Sequence, residues 1–210
     1  MISILLIIAI FFLSAASLQE LFLFFHRKVR RREVVIFVIA LLYLPGTVVH
    51  ELSHYIVALI LNLHPREISS FPVTEGARVR LGHVLFEKEK GDFVRPLLVG
   101  IAPLLGGLAV LWLFTRIHLN GIVLWYLVWS VTANMFSSKQ DLVDLIYVVP
   151  VVLLVGLILY LFPLSIPPAY EAQILHPFLV FIDTLQPVLL FSAAIHAILV
   201  VSFIGLKQWR

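Results

Sequence analysis

The sequence predicts an all-α integral membrane protein with about six transmembrane helices and a small membrane-surface β-sheet between the second and third spans. Three observations predict this fold class. Of the 210 residues, 61% are hydrophobic and only 13% are charged, and the mean hydropathy is +1.06. Long apolar stretches fill most of the chain. One polar segment between them partly alternates apolar and polar residues, which is typical of short strands.

This composition excludes several classes of protein. An ordinary soluble domain is nearer half apolar and about a quarter charged, so a soluble globule of this size could not bury so much apolar surface. A soluble enzyme, a disordered chain and a nucleic-acid-binding module are therefore ruled out, and the lipid bilayer is the expected surrounding. The chain has no cysteine, so any metal site must be built from His, Asp and Glu.

The first domain, residues 1–33, is predicted to be a transmembrane span followed by a basic loop. Residues 2–25 are almost entirely apolar. Basic residues follow at 27–32, whereas a cleaved signal peptide carries its positive charge before the apolar core. We therefore expect a retained span, with the basic run acting as a topogenic signal or contacting lipid headgroups.

The second apolar stretch, residues 34–62, is too long for one straight crossing. As a single helix it would extend about 43 Å, against a hydrocarbon core of about 30 Å. Pro45-Gly46 interrupts it, and a proline removes a helical hydrogen bond. The sequence therefore predicts a kink or a break at this point.

The rest of the chain is expected to hold a short β segment and four further spans. Residues 64–90 contain the alternating pattern, with Gly76 and Gly82 as turn signals. The spans are predicted at 96–115, 121–136, 141–163 and 174–206, although five or seven spans in total are also compatible with the pattern. The last domain, residues 164–210, is then a proline-containing loop followed by the final span.

The most specific motif is His50-Glu51-Leu52-Ser53-His54, an HExxH sequence inside the second apolar stretch. Residues four apart on a helix share a face, so His50 and His54 can bind one zinc ion. Glu51 lies at the edge of that face and can take a proton from an attacking water. A charged residue at the centre of a membrane helix costs about 2.5–3.5 kcal/mol, which favours a functional role over a merely solvated helix end.

A catalytic zinc site needs a third protein ligand. Asp141 and Asp144 are candidates because they are three residues apart in the polar patch at 137–144 and would share a helical face. Acidic residues also favour helix N-termini, so capping is the alternative role of this pair. His196 is a lone histidine in an apolar span, where packing or hydrogen bonding is more common than metal ligation.

The segment His50–Ala58, with the sequence HELSHYIVA, resembles the active-site helix of the site-2 proteases, which are intramembrane zinc metalloproteases. In that family a Gly usually stands at the position of Ser53. The family follows this helix with a short membrane-associated sheet, and residues 64–90 look like one. The resemblance identifies residues 34–163 as a site-2-protease-like metalloprotease core.

Two further segments resemble motifs of the same family. Residues 100–107, GIAPLLGG, are similar to a motif of the Gly-Pro-Leu-x-Asn type, with Ala102 in place of the Gly and Gly106 in place of the Asn. Residues 134–141, NMFSSKQD, are similar to a segment that runs from an Asn to Leu-Asp-Gly. Here the family's prolines are absent, the spacing is one residue shorter, and Leu142 replaces the Gly.

The resemblance implies a zinc-dependent intramembrane endopeptidase that cleaves transmembrane or membrane-proximal segments of membrane proteins by metal-activated attack of water. The Zn²⁺ ligands that it implies are His50, His54 and Asp141, with Asp144 as the alternative third ligand. Glu51 would be the catalytic base. Asn134, which matches the family's Asn, would bind an extended substrate strand.

Two other functions are compatible with the sequence. The altered segment at 134–142 is also what a catalytically inactive scaffold of the same fold would carry, and such a scaffold would tolerate Glu51→Gln. The histidines and aspartates could instead form the transit site of a metal-ion transporter, although the internal repeat common in transporters is absent from the sequence. In each case we expect a multi-pass protein of the cell membrane.

Overall fold

The computed structural model describes residues 2–29, 31–70, 73–75, 78–80, 83–85, 92, 94–117, 121–136, 150, 153–158, 161, 173 and 176–208. Its helices are α1 (Ile2–Lys28), α2 (Arg32–Ile60), α3 (Val94–Arg116), α4 (Ile122–Asn134) and α5 (His176–Gln208). The strands, all between α2 and α3, are β1 (Glu67–Ser69), β2 (Val73–Glu75), β3 (Arg78–Arg80) and β4 (His83–Leu85).

Four helices of the described part are long and apolar enough to cross a membrane, namely α1, α2, α3 and, over Leu179–Leu206, α5. Their outer faces carry large apolar side chains that are more than half exposed, such as Ile4, Phe12, Leu41, Leu105 and Val201. An apolar surface of this extent is unfavourable in water and is covered by lipid in a bilayer. The protein is therefore membrane-embedded and mainly helical, as predicted.

The number of spans differs from the expected six. α4 falls within the predicted span at 121–136 but has only 13 residues, which gives about 20 Å against a hydrocarbon core of about 30 Å. The predicted span at 141–163 lies mostly outside the described residues. Within it, the structure describes a helical stretch at 153–158. The described part thus contains four helices of spanning length and one shorter apolar helix.

The polar segment after α2 folds into two antiparallel strand pairs, in agreement with its alternating pattern. β2 pairs with β3, and the outer strands β1 and β4 pair with each other. Thr74 lies opposite Val79 in the first pair, and Ile68 lies opposite Val84 in the second. β1 and β4 also contact α2, so the strands lie beside the helix that carries the HExxH motif.

The helices pack so that α2 lies between several neighbours. α1 packs along α5, and α2 packs against both α3 and α4. One apolar core, shared by α1, α3, α4 and α5, contains Ile10, Leu108, Leu111, Val128, Val131, Met135, Leu185 and Leu189. A second core lies between α1 and α2 and contains Leu21, Val35, Ile39 and Tyr43. These contacts position α2, whose C-terminal half carries the HExxH motif.

α2 continues through Pro45 as one helix, so of the predicted kink or break the break is wrong and the kink stays a prediction. Hydrogen bonds from α4 reach the α2 backbone on both sides of Pro45. The Gly46 N–H donates to the Ser130 hydroxyl oxygen at 2.9 Å, and that hydroxyl lies 3.3 Å from the Tyr43 carbonyl oxygen, to which it donates. A second helix thus provides hydrogen bonds to the backbone next to the proline, where none can come from lipid.

The polar residues of α4 that reach α2 recur every four positions, at Tyr126, Ser130 and Asn134. The Tyr126 hydroxyl donates to the Leu42 carbonyl at 2.9 Å, and the Asn134 side-chain amide donates to the Tyr43 carbonyl at 3.5 Å. Residues four apart share a helical face. One polar face of this short helix therefore lies along the proline-containing part of α2.

The two helices come close together at Gly46. A Cβ atom at this position would lie 1.9 Å from the carbonyl oxygen of Ser130. Small residues commonly allow such close contact between membrane helices. The absence of a side chain at Gly46 is therefore what lets the Ser130 hydroxyl reach the α2 backbone.

Gly46→Ala is expected to lower the free energy of unfolding by about 1–3 kcal/mol, because an added Cβ forces α4 away from α2. Gly205→Ala in α5 is the matched control, since a Cβ there meets nothing within 4 Å. Thermal or denaturant unfolding of both variants in one detergent measures the difference. A Gly46→Ala variant as stable as wild type would contradict the close helix contact.

Candidate functional site

His50 and His54 lie one turn apart on α2, and their imidazole rings meet edge to face. Their Nε2 atoms are 3.2 Å apart, and the rings are nearly perpendicular, at 82°. His54 and Glu51 are buried, with 8% and 6% of their surface exposed. The structure therefore brings the two predicted histidine ligands together beside the predicted base, in the interior of the helix packing.

Each histidine is held by a backbone carbonyl through its other ring nitrogen. His50 Nδ1 lies 2.6 Å from the Asn134 carbonyl oxygen, and His54 Nδ1 lies 2.8 Å from the Val99 carbonyl oxygen. A carbonyl oxygen can only accept, so both Nδ1 atoms carry a proton and donate it. A neutral imidazole has one N–H, so each Nε2 atom carries a lone pair.

These hydrogen bonds make the two Nε2 atoms a pair of electron donors. In the neutral form of both rings the two Nε2 lone pairs lie on atoms 3.2 Å apart, and a cation bound by both would be stabilised by them. Two nitrogen ligands of a tetrahedral zinc ion, at about 2.0–2.1 Å from the metal, are expected about 3.3 Å apart. Histidine ligands also commonly donate their other N–H to a carbonyl. The arrangement of His50 and His54 therefore fits zinc.

Both carbonyls are available because the regular helical pattern leaves them without an N–H partner in their own helix. The Val99 carbonyl would pair with the N–H of residue 103, but Pro103, inside α3, has none. Asn134 is the last residue of α4, and the final carbonyls of a helix have no partner within it. In the sequence, Pro103 is the signal that the Val99 carbonyl lacks a helical hydrogen-bond donor, and the motifs alone do not reveal it.

Asn134 contributes to the site through its main chain. Its side-chain amide donates to the Ser130 carbonyl at 2.8 Å. Its side-chain oxygen lies 3.4 Å from the Thr47 hydroxyl, which donates to the Tyr43 carbonyl at 3.1 Å. The first bond lies within α4, whereas the contact with Thr47, and the hydrogen bond from the Asn134 amide to the Tyr43 carbonyl, connect the end of α4 to α2. Substrate binding by Asn134 stays a prediction, and the structure adds a role in orienting His50.

α3 approaches the motif through two glycines. A Cβ atom at Gly106 would lie 2.0 Å from the Ser53 hydroxyl oxygen, and one at Gly107 would lie 2.6 Å from the Met135 Cβ. The Ser53 hydroxyl donates to the Val49 carbonyl at 2.6 Å. The absence of side chains at these glycines therefore lets α3 lie close enough for the Val99 carbonyl to reach His54.

The third ligand cannot be placed among the described residues. In the ranges that the structure describes, no group of three or more His, Asp and Glu side chains could hold a metal ion. Asp141 and Asp144, the predicted candidates, lie outside the described residues. The described part therefore supplies His50, His54 and Glu51 of the predicted site.

Comparison with known proteins adds no family to these observations. A scan against protein-family models, a search of curated proteins and a search of solved structures each found no match. The functional interpretation therefore depends on the motif and on the geometry of the site.

Pro103→Ala is expected to loosen His54, because the restored N–H competes for the Val99 carbonyl. His54 should then populate both neutral tautomers. This loss of orientation is expected even though alanine stabilises the helix itself by up to about 3 kcal/mol relative to proline. Nitrogen NMR of ¹⁵N-histidine-labelled protein measures the change, since wild-type His54 should show a protonated Nδ1 and an unprotonated Nε2. Pro187→Ala, which removes a proline from inside α5, should leave this signature unchanged. An unaltered tautomer in Pro103→Ala would contradict the assignment.

Proposed function

We propose that this chain is a zinc-dependent endopeptidase of the cell membrane, which hydrolyses peptide bonds in transmembrane or membrane-proximal segments of membrane proteins. The observation that carries the proposal is the pairing of His50 and His54. Their Nε2 atoms, 3.2 Å apart, are both set as lone-pair donors by backbone carbonyls of two other helices. Ionisable side chains are costly in a membrane helix and are usually functional there.

The residues that would hold the metal are His50 and His54, through Nε2, and one carboxylate of the pair Asp141 and Asp144. This donor set, of imidazole nitrogen and carboxylate oxygen, is the kind found in catalytic zinc sites. When bound, zinc supplies Lewis acidity, which polarises the scissile carbonyl and lowers the pKa of water.

Glu51 would act as the general base. It accepts a proton as the water oxygen bonds to the scissile carbonyl carbon, and it later delivers that proton to the amide nitrogen as the C–N bond breaks. The products are a carboxylate and an amine. Glu51 directly follows His50 on α2 and is 6% exposed, which fits a carboxylate that exchanges protons within an enclosed site.

A substrate segment must be extended before it is cut, because a helix keeps its carbonyls in hydrogen bonds. The strand pairs after α2 support this step, since β1 and β4 contact α2 and a substrate strand can add to a sheet edge. We therefore infer that helix-breaking residues in a substrate's membrane segment favour cleavage.

The resemblance to the site-2 proteases supports the same function, and two departures from that family's pattern are compatible with it. These departures, Ser53 in place of Gly and Gly106 in place of Asn, lie against each other. A Cβ atom on Gly106 would lie 2.0 Å from the Ser53 hydroxyl oxygen. A larger residue at 106 would overlap Ser53, so the second departure accommodates the first and keeps α3 packed on the HExxH helix.

The wild-type chain is expected to bind about one zinc ion after purification in detergent, measured as metal per protein. His50→Ala and His54→Ala should lose this zinc, because each removes one donor. Only one of Asp141→Ala and Asp144→Ala should lose it, which would identify the third ligand. His176→Ala, at an exposed histidine, should keep it. A folded wild type that takes up no zinc when supplied with it would overturn the proposal.

Glu51→Gln is expected to slow cleavage by about 10²–10⁴-fold, because the general base is lost, while zinc binding is retained. The assay reconstitutes the chain with a labelled single-span segment that has a central Asn-Gly pair, beside an all-leucine segment. Glu33→Gln, at an exposed residue in the first turn of α2, should cleave like wild type. Zinc-loaded wild type that cuts neither segment would favour the inactive scaffold, and zinc flux across liposomes would favour a transporter.

A further inference from the structure

A second group of buried polar side chains lies where α1, α2, α4 and α5 meet. This group, named here the His196 cluster, consists of Ser17, Tyr43 and His196 together with Trp129, which is half-buried but whose Nε1 atom is buried. Ser17 and His196 are fully buried, and Tyr43 is 1% exposed. The Trp129 ring centroid lies 4.8 Å from that of Tyr43 and 6.4 Å from that of His196.

Hydrogen bonding assigns the proton on His196. The Ser17 hydroxyl donates to the Ser14 carbonyl at 2.9 Å, and its oxygen lies 2.8 Å from His196 Nδ1. A hydroxyl has one proton, so a Ser17 that donates to the Ser14 carbonyl accepts a hydrogen bond from the Nδ1–H of His196. The Nε2 atom of the neutral imidazole is then an acceptor. His196 is thus a hydrogen-bonded buried histidine, as its position in an apolar span predicted.

Three buried polar atoms of the His196 cluster lack a hydrogen-bond partner in the described part of the chain. They are His196 Nε2, the Tyr43 hydroxyl and Trp129 Nε1. A buried polar group without a partner costs about 1–3 kcal/mol, and lipid offers no replacement. The three atoms are complementary, because Trp129 donates, His196 accepts and Tyr43 can do either.

We propose that the His196 cluster is an internal hydration site, where ordered water donates to His196 Nε2 and accepts from the Trp129 indole N–H, with the Tyr43 hydroxyl as a further partner. Water is the smallest molecule that both donates and accepts, and a buried water typically makes about three hydrogen bonds. A metal ion is a poor alternative, because the indole N–H of Trp129 has no lone pair to offer.

The hydration site connects the two helix pairs of the fold. Ser17 and His196 belong to α1 and α5, whereas Tyr43 and Trp129 belong to α2 and α4. The Tyr43 carbonyl also accepts a hydrogen bond from the Ser130 hydroxyl beside Pro45. Ordered water therefore links the outer helix pair to the part of α2 that precedes the HExxH motif, whether or not the chain is a protease.

The first experiment detects water at Trp129 by NMR of the full chain, labelled with ¹⁵N-tryptophan, in lipid nanodiscs. We expect a cross-peak between the Trp129 indole proton and water, assigned by its loss in Trp129→Phe. The chain has four tryptophans, so the signals of the other three report whether this variant keeps its fold. A dry Trp129 indole in the wild-type chain would overturn the proposal.

The second experiment tests the proton assignment with a matched pair of variants. Wild-type His196 should show a protonated Nδ1 and an unprotonated Nε2 in ¹⁵N-histidine spectra. Ser17→Ala should abolish this fixed tautomer, because the acceptor of the Nδ1–H is lost. Ser14→Ala, one turn away, should preserve it, since the Ser14 hydroxyl donates only within α1, to the Phe11 carbonyl at 3.1 Å. A protonated Nε2 in wild type would also overturn the proposal.

Discussion

The structure depends on one constraint, which is that backbone polar groups in a bilayer must find hydrogen-bond partners inside the protein. Two prolines inside the membrane helices, Pro45 and Pro103, interrupt the helical hydrogen bonding close to the HExxH motif. Around Pro45, polar side chains of α4 bond to the α2 backbone, with the Gly46 N–H donating to Ser130. At Pro103, the Val99 carbonyl loses its helical N–H donor and accepts a hydrogen bond from His54 instead. The prolines thus bind α3 and α4 to the helix that carries the HExxH motif.

This use of the backbone orients the two histidines of the HExxH motif. The Asn134 and Val99 carbonyls set the ring orientation and proton position of His50 and His54. Side-chain acceptors would have rotamers of their own, whereas these carbonyls belong to rigid helices. The orientation of the imidazoles therefore depends on how closely α3 and α4 pack against α2. Gly46 permits that packing on the side of α4.

Polar contacts also tie the outer helices to this centre. Ser17 of α1 pairs with His196 of α5 at 2.8 Å, and the Ser192 hydroxyl of α5 donates to the Thr132 hydroxyl of α4 at 2.6 Å. Lipid tails are as apolar as leucine, so hydrogen bonds and close packing contribute more to specific helix pairing than apolar burial does. The fold therefore combines an apolar outer surface with a few buried polar contacts between its helices.

The sequence by itself determined the membrane class, the short strands and the shared face of His50 and His54, because composition and periodicity are local properties. It did not determine the path of α2 at Pro45 or the length of α4 as a crossing. Hydrogen bonds to the α2 backbone beside Pro45 come from α4, and His50 and His54 bond to carbonyls 84 and 45 residues away in the chain. Only tertiary packing selects such partners. A local pattern states which backbone groups lack a partner, and the arrangement of the helices decides which side chain provides one.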